Sequence, residues 1–305
     1  MQVFEYVPQK TLNLESCVIA LGLFDGVHIA HRALLNTAKK IANERSMPFA
    51  IFTFSADYAF KAGGSIYSDK EKFKIFESIG ADAVIVTQFS SVSGIDAKKF
   101  VAECLVKDMN CKVAVLGYDF RFGKGAKGDA ALMKNLMKEF GGECFVKEEI
   151  SFDGEKVSTT KIKQLLEIGD TKKANLLLGE PYFSVSEVVH GDGRGNSLGF
   201  PTVNTSFSFD AIKKGVYAST LTVEEKVFGS ITNIGHCPTF EKRELHAETF
   251  ILDANENLYG KTVVLRLLSF IREERAFSDA QDLKEQIKLD VQKAKEIILN
   301  GRKLD

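Results

Sequence analysis

V-I-A-L-G-L-F-D-G-V-H-I-A-H-R, residues 18–32, decides how the first half of the chain is built. An apolar, β-branched run over 18–23 stops at Phe24-Asp25-Gly26, and a helical pattern starts near His28, so the stretch reads as strand, tight loop, helix. The first N–H groups of such a helix have no partner within it and lie at the positive end of its dipole, which makes the loop a site for anions. His28 and His31 sit one turn apart and face the same way. Each can donate to a phosphate oxygen as charge builds in a transition state. On spacing alone, a capped, solvated helix start and half of a zinc site stand beside the phosphate reading, although no other His or Cys shows zinc-ligand spacing.

Working outward, 33–44 carries Leu34, Leu35, Ala38, Ile41 and Ala42 on one helical face. Apolar strands are expected over 49–54, 83–86 and 112–116, and helices over 69–79 and 97–109. Strands alternating with helices imply right-handed crossovers and a parallel, doubly wound sheet whose ligand crevice lies beyond the carboxyl ends of its strands. G-Y-D-F-R-F-G-K-G-A-K-G, residues 117–128, is a glycine-rich loop with three basic residues, by itself weak evidence for phosphate. V-S-T-T-K-I-K, residues 157–163, offers hydroxyls that cap a helix or bind phosphate with equal ease. Helices over 160–168 and 171–178 lead to Gly179-Glu180-Pro181, a stop and breaker that divides the chain into domains 1–181 and 182–305.

Past that break the period changes to alternation. Strand-like runs at 185–190, 215–223, 227–234, 246–253 and 262–271 predict a small antiparallel barrel, and an amphipathic helix over 279–299 is expected to plug or flank it. Gly191, Gly193 and Gly195, three glycines within five residues, form a flap whose backbone can approach a phosphate. Pro201 then fixes the chain so that Thr202 and Asn204 point the same way. A hydroxyl and an amide oxygen are hard ligands suited to Mg²⁺ carried on substrate phosphates. A loop entering a strand with two satisfied polar residues is the competing reading.

The 305 residues suffice for two domains, and 45% hydrophobic with 27% charged residues is a globular composition. A net charge of −1, without basic clusters among aromatics, argues against nucleic acid as the main partner. Cys17, Cys104, Cys111, Cys144 and Cys237 are odd in number and lack a C-x-x-C pair, which favours reduced thiols. With no signal-like start and no apolar run long enough to span a bilayer, the expected address is cytoplasmic and the expected partners are small molecules.

F-D-G-V-H-I-A-H-R, residues 24–32, resembles the His-x-Gly-His signature of nucleotidyltransferases in the F-D-G-V-H-x-G-H form of prokaryotic FAD synthetases, with Ala30 in place of Gly. Residues 117–128 are similar to that family's G-x-D-F-x-F-G-x-x-x-x-G segment. Residues 157–163 are similar to its S-S-T-x-x-R motif, with Lys163 for Arg. Ser55-Ala56-Asp57 stands where the family has a P-H-P-like turn. L-G-F-P-T-V-N, residues 198–204, resembles the L-G-F-P-T-x-N signature of riboflavin kinases. Gly215-Val216-Tyr217, Asn233-Ile234-Gly235, Pro238-Thr239, Leu258-Tyr259-Gly260 and Phe270-Ile271-Arg272 fall where that family has them. Nearly the whole chain is thus identified with the bacterial bifunctional riboflavin kinase/FMN adenylyltransferase family.

The resemblance implies a Rossmann-like α/β nucleotidyltransferase domain and a riboflavin kinase-like antiparallel β-barrel with a terminal helix. ATP and Mg²⁺ are implied, with riboflavin, FMN and FAD as substrates and products. In the first domain Gly22, Phe24, Asp25, Gly26, Ser158, Thr159, Thr160 and Lys163 would hold nucleotide and phosphate. His28 and His31 would stabilise charge as FMN attacks the α-phosphorus. In the second, Gly191, Gly193, Gly195, Gly199 and Pro201 would approach ATP, Thr202 and Asn204 would hold Mg²⁺, and Arg272 would face the flavin. Glu248 would be the base, expected half-buried with its pKa raised by desolvation. Phe250 replaces a common His, and Asn196 a frequent Arg. The replacements in the first domain raise a second expectation, a riboflavin kinase whose adenylyltransferase is weakened or inactive. A non-catalytic flavin carrier is a third, which Thr202, Asn204 and Glu248 argue against.

Overall fold

Six strands of the first half form one parallel sheet: β1 (Gln2–Glu5), β2 (Cys17–Leu21), β3 (Phe49–Phe54), β4 (Ala83–Thr87), β5 (Cys111–Gly117) and β6 (Glu143–Lys147). The computed structural model describes residues 1–56, 64–189, 200–207, 211–236, 245–253 and 258–301, and it divides into two units, Met1–Ser158 and Thr159–Asp305. Every residue of β2 and β4 is buried, as in strands covered on both faces. The connecting helices are α1 (Ile29–Glu44), α2 (Asp69–Ile79), α3 and α4 (Ala130–Glu139). α1 buries Leu34, Leu35, Ala38, Ile41 and Ala42, the face its spacing predicts. α3 begins as α-helix over Ala97–Lys99 and widens to π geometry over Phe100–Asp108. The wider turns set the Asp108 carboxylate under Tyr6 Oη at 2.8 Å and the Gln9 N–H at 3.1 Å.

Strand order β1-β4-β3-β2-β5-β6 places the reversal of direction between β2 and β5. Loops leaving those two strands diverge, and the gap between them is the ligand crevice of a doubly wound sheet. The loop at Gly22 and the loop at Gly117 flank it. A short hairpin, β7 (Ser151–Phe152) with β8 (Glu155–Lys156), ends the unit.

In the second unit α5 (Thr159–Ile168) and α6 (Thr171–Leu178) precede an antiparallel sheet. Its strands are β9 (Tyr182–Glu187), β10 (Thr202–Ser206), β11 (Gly215–Val223), β12 (Lys226–His236), β13 (Leu245–Ile251) and β14 (Thr262–Arg272), in the order β10-β13-β12-β11-β14-β9. The two ends meet where the Val189 N–H donates to Asn204 O at 3.0 Å and Ser184 Oγ donates to Ser206 O at 3.2 Å, closing a barrel. Gly215, at φ 137°, lies where a Cβ would strike the Arg272 carbonyl, so only glycine admits β11 beside the end of β14.

Gly179-Glu180-Pro181 ends α6 without ending its packing. Asn175 of α6 donates to Leu267 O at 2.9 Å and accepts from the Tyr182 N–H at 2.8 Å, so the helix pair lies with the barrel strands and the units part at 158/159. Inside the barrel a row of hydroxyls is hydrogen-bonded: Ser219 meets Ser230 and Thr232, each at 2.8 Å, and Thr232 meets Thr249 at 2.9 Å.

The terminal helix α7 (Ala280–Gly301) flanks the barrel, setting Ala294, Val291 and Ile287 against Ala218, Ile231 and Phe250 on its outer face. Arg272 fastens it. The guanidinium donates to buried Asp290 through Nε at 3.0 Å and Nη2 at 2.7 Å, and Gln286 Nε2 adds a bond to the same carboxylate at 2.8 Å. Arg272→Met leaves that carboxylate buried without its cation, so urea unfolding should show a loss of about 3 kcal/mol. A loss near zero would mean that the pair does not secure α7.

Candidate active sites

β2 runs into Gly22, whose N–H donates to Phe52 O at 3.2 Å and whose missing side chain leaves room for the Phe24 ring. Phe24 (φ 50°), Gly26 (φ 75°) and Val27 (φ 38°) are left-handed, so the chain doubles back before α1. Phe24 is fully buried, with its ring edge-on to His31 at 5.3 Å and to Phe76 at 5.9 Å. Asp25 is 3% exposed, and its Oδ1 accepts from Ser65 Oγ and the Ile66 N–H, both at 2.8 Å. Both were expected to face the nucleotide. The structure turns them inward, where the ring packs and the carboxylate pins the turn, and a carboxylate kept off the crevice does not repel phosphate.

His28 caps α1, its Nδ1 accepting from the His31 N–H at 3.3 Å. A neutral ring that accepts at Nδ1 carries its proton on Nε2, which leaves that nitrogen as a donor. The two imidazoles stack with centroids 3.7 Å apart and planes 13° from parallel. Burial lowers the His28 pKa to about 4 although Asp25 and Asp119 pull it up, and burial with the neighbouring His28 pushes His31 well below its ordinary value. The pair is therefore neutral at neutral pH. His31 Nδ1 is buried with no hydrogen-bond partner among the described residues, an open valence for an incoming group.

Sequence reasoning missed Lys156. It lies 3.0 Å from Asp119 Oδ2, with its ammonium 4.9 Å from the centre of the Tyr118 ring, and both Lys156 and Asp119 act on the charge of His28. Hydrogen bonding to Tyr118 and Asp119 holds its ammonium above the ordinary lysine range. Nothing in the spacing of 118–119 and 156 signals the contact, because the β7–β8 hairpin makes it. Ser158 is half-buried at the end of the first unit, whereas Thr159 and Lys163, also half-buried, lie four apart in the first turns of α5 with exposed Thr160 between them. After β3, Ser55 Oγ donates to Asp69 Oδ2 at 3.2 Å and the Ala56 N–H to Asp69 Oδ1 at 3.0 Å, while buried Lys72 joins Asp69 to Phe54 O. This network shapes the turn that lacks prolines; Asp57 lies outside the described residues.

The second site is written in strand register. Thr202 pairs with Phe250, and Asn204 with Glu248, across β10 and β13; Asn233 on β12 pairs with the same Glu248. Residues directly opposed on antiparallel strands share a face at about 5 Å. Thr202, Asn204, Glu248 and Asn233 thus form one polar row beside Phe250. Glu248 is exposed among the described residues, not half-buried: it takes the outward position between buried Ala247 and Thr249. The Thr202 hydroxyl and the Asn204 amide oxygen side by side are a donor set that suits Mg²⁺ with waters and substrate phosphates completing its shell. Phe250 meets Phe200 edge-on at 5.2 Å, and with Leu252, Val291, Lys288 and Lys295 they line a cleft of about 270 Å³. Arg272, expected at the flavin, is instead committed to Asp290 on α7. Gly191, Gly193, Gly195, Asn196 and Gly199, with Pro238 and Thr239, lie outside the described residues; Pro201 leads into β10.

Residues 10–161 match the family model for FAD synthetase, and residues 178–298 that for riboflavin kinase. The chain is 35% identical over 300 residues to a bifunctional riboflavin kinase/FMN adenylyltransferase of Bacillus subtilis, covering 94% of each chain. It is 33% identical over 290 residues to the protein of that name in Escherichia coli K12, covering 92% of this chain and 93% of the relative. A crystal structure of a Streptococcus pneumoniae protein described as a macrolide-efflux protein matches with a TM-score of 0.85 at 29% identity, over 97% of this chain and 99% of that one. Among the described residues no helix is long and apolar enough to cross a membrane.

The neutral His28 makes folding pH-dependent. Its unfolded side chain takes up a proton near pH 6.5 and the folded one only near pH 4, so its stabilising share is complete above 6.5. About 3 kcal/mol should disappear as pH falls through that window. Urea midpoints between pH 7.5 and 4 measure the loss, and His28→Gln should flatten the curve; an unchanged slope in that variant would refute the assignment.

Proposed function

The chain belongs to the family of bifunctional riboflavin kinase/FMN adenylyltransferases, and from that membership we propose how its residues divide the two reactions. It phosphorylates riboflavin with ATP to give FMN, and adenylylates FMN with a second ATP to give FAD and pyrophosphate. We assign the kinase chemistry to residues of 182–305 and the adenylyltransferase chemistry to residues of 1–181, a division by function in which α5 and α6 still pack with the barrel. The observation that carries the kinase assignment is the polar row Thr202, Asn204 and Glu248 in adjacent register on one face.

In the kinase step Thr202 Oγ1 and Asn204 Oδ1 would hold Mg²⁺, which supplies charge neutralisation at the ATP phosphates. Glu248 takes the proton of the riboflavin 5′-hydroxyl as that oxygen attacks the γ-phosphorus in line, and ADP leaves. The exposure of Glu248 leaves it open to its substrate. The cleft at Phe200 and Phe250 fits a planar heteroaromatic ring, and Gly191, Gly193, Gly195, Gly199 and Pro201 are assigned to ATP on their motif.

In the adenylylation an FMN phosphate oxygen attacks the α-phosphorus and pyrophosphate departs. His28 and His31, held neutral, donate to the oxygens that gain charge, helped by the positive end of the α1 dipole. Gly22 and Gly26 give the backbone its close approach, while Phe24 and Asp25 hold the turn. Ser158, Thr159, Thr160 and Lys163 are assigned to phosphate on their motif. The reading of a retired first domain finds no support: both family models match, and the turn at Ser55 is rebuilt on Asp69. Buried free thiols at Cys17, Cys104 and Cys111 suit a reducing compartment, and we place the enzyme in the cytoplasm.

Incubation with riboflavin, ATP and Mg²⁺ should yield FMN and then FAD on chromatography. Glu248→Gln should abolish FMN formation yet still convert added FMN to FAD. His28→Ala should lower FAD formation by about 100- to 1,000-fold and leave FMN formation intact. Normal FMN output from Glu248→Gln, or normal FAD output from His28→Ala, would remove the corresponding assignment.

A further inference from the structure

One polar group in the row beside Glu248 has no part in the scheme so far. Asn233 opposes Glu248 from β12 just as Asn204 opposes it from β10, so the carboxylate stands between two amides. Asn233 Nδ2 donates to Glu274 Oε1 at 3.1 Å. Among the described residues its side chain makes no other hydrogen bond. Gly235, two residues along the same face of β12, is where the Glu274 carboxylate lies, and a Cβ there would overlap it. An amide has two N–H groups and one acceptor oxygen, and giving one N–H to the Glu274 carboxylate orients the other. Asn233 is half-buried, on the same outward face as exposed Glu248.

We propose that Asn233, oriented by Glu274, positions the substrate in the kinase step: its second N–H donates to the riboflavin 5′-hydroxyl oxygen while Glu248 accepts that hydroxyl's proton. The proposal rests on the reading of Glu248 as the base. One hydrogen bond given and one received stop the hydroxyl from rotating, and its remaining lone pair points at the γ-phosphorus. The new O–P bond forms as the bond to ADP breaks, the proton stays on Glu248, and Asn233 exchanges none. Glu274 touches no reacting atom and acts only through Asn233.

Steady-state FMN formation by the full chain, with riboflavin and MgATP varied separately, tests this. Asn233→Ala and Glu274→Ala should each lower kcat by about 10- to 100-fold with the KM for ATP unchanged. The double variant should lose no more than either alone, because the two residues act as one unit. Glu274→Gln keeps an oxygen that accepts from Asn233 and should recover most of the loss, whereas Gly235→Ala, which pushes the carboxylate aside, should reproduce it. Conversion of added FMN to FAD by the same preparations should stay at the unmodified rate. Losses that multiply in the double variant, wild-type kcat in Glu274→Ala, or no recovery in Glu274→Gln would overturn the proposal. Failure of the base assignment shows separately, as normal turnover by Glu248→Gln, while the link between Asn233 and Glu274 is decided by the double variant.

Discussion

A buried carboxylate holds the turn between β2 and α1 together. Asp25 accepts from Ser65 Oγ and the Ile66 N–H, and those bonds keep the chain in a turn that passes through left-handed backbone at Phe24, Gly26 and Val27. Each non-glycine residue in that conformation costs about 1–2 kcal/mol, and a β-branched valine is among the least suited to it. Charge-assisted hydrogen bonds in a dry setting are strong enough to offset such a cost. The turn sets where α1 begins, and the start of α1 sets His28 as its cap with His31 stacked on it. Without the carboxylate the two imidazoles would have no reason to stack.

The second site has the same plan with other parts. Outside, Asn233 and Glu248 stand opposed across β12 and β13; inside, their chain neighbours Thr232 and Thr249 are hydrogen-bonded at 2.9 Å. A slip of one residue would exchange the two faces, so the buried hydroxyl pair fixes the register of the exposed row. Arg272 and Asp290 then hold α7 along the same face, beside Phe250. In both units buried polar contacts decide where the candidate reactive groups lie, His28 and His31 below the surface and Glu248 on it.

Much of this was legible in the residues alone. The runs at 49–54 and 69–79 became β3 and α2 with those bounds, because apolar continuity and a clean Gly80 stop leave little choice. β1 and β6 escaped notice for the opposite reason. They are the edges of the sheet, and Q-V-F-E and E-C-F-V-K keep exposed residues that never form an apolar run. The motifs located His28, His31, Thr202, Asn204 and Glu248 but not how deeply each is buried. A carboxylate in a signature looks alike whether it stands exposed on a strand, as Glu248 does, or pins a loop, as Asp25 does. Arg272 shows the same limit, since its partner Asp290 comes eighteen residues later on a helix whose docking no local pattern reveals. Lys156 reaches Asp119, and Glu274 reaches Asn233, through a hairpin and a strand end, where sequence distance says nothing.

The hydroxyl row at Ser219, Ser230, Thr232 and Thr249 bears on how the barrel responds to temperature. Hydration of apolar surface raises the heat capacity of an unfolding chain, and hydration of polar surface lowers it. An interior that substitutes hydroxyl pairs for methyl groups releases less of the first and more of the second. Its free-energy curve is accordingly broader than that of an aliphatic barrel of equal size, with a shallower decline toward cold as well as heat. A strand register that must stay true for phosphate chemistry is thereby held by contacts whose strength changes little over the range in which the enzyme works.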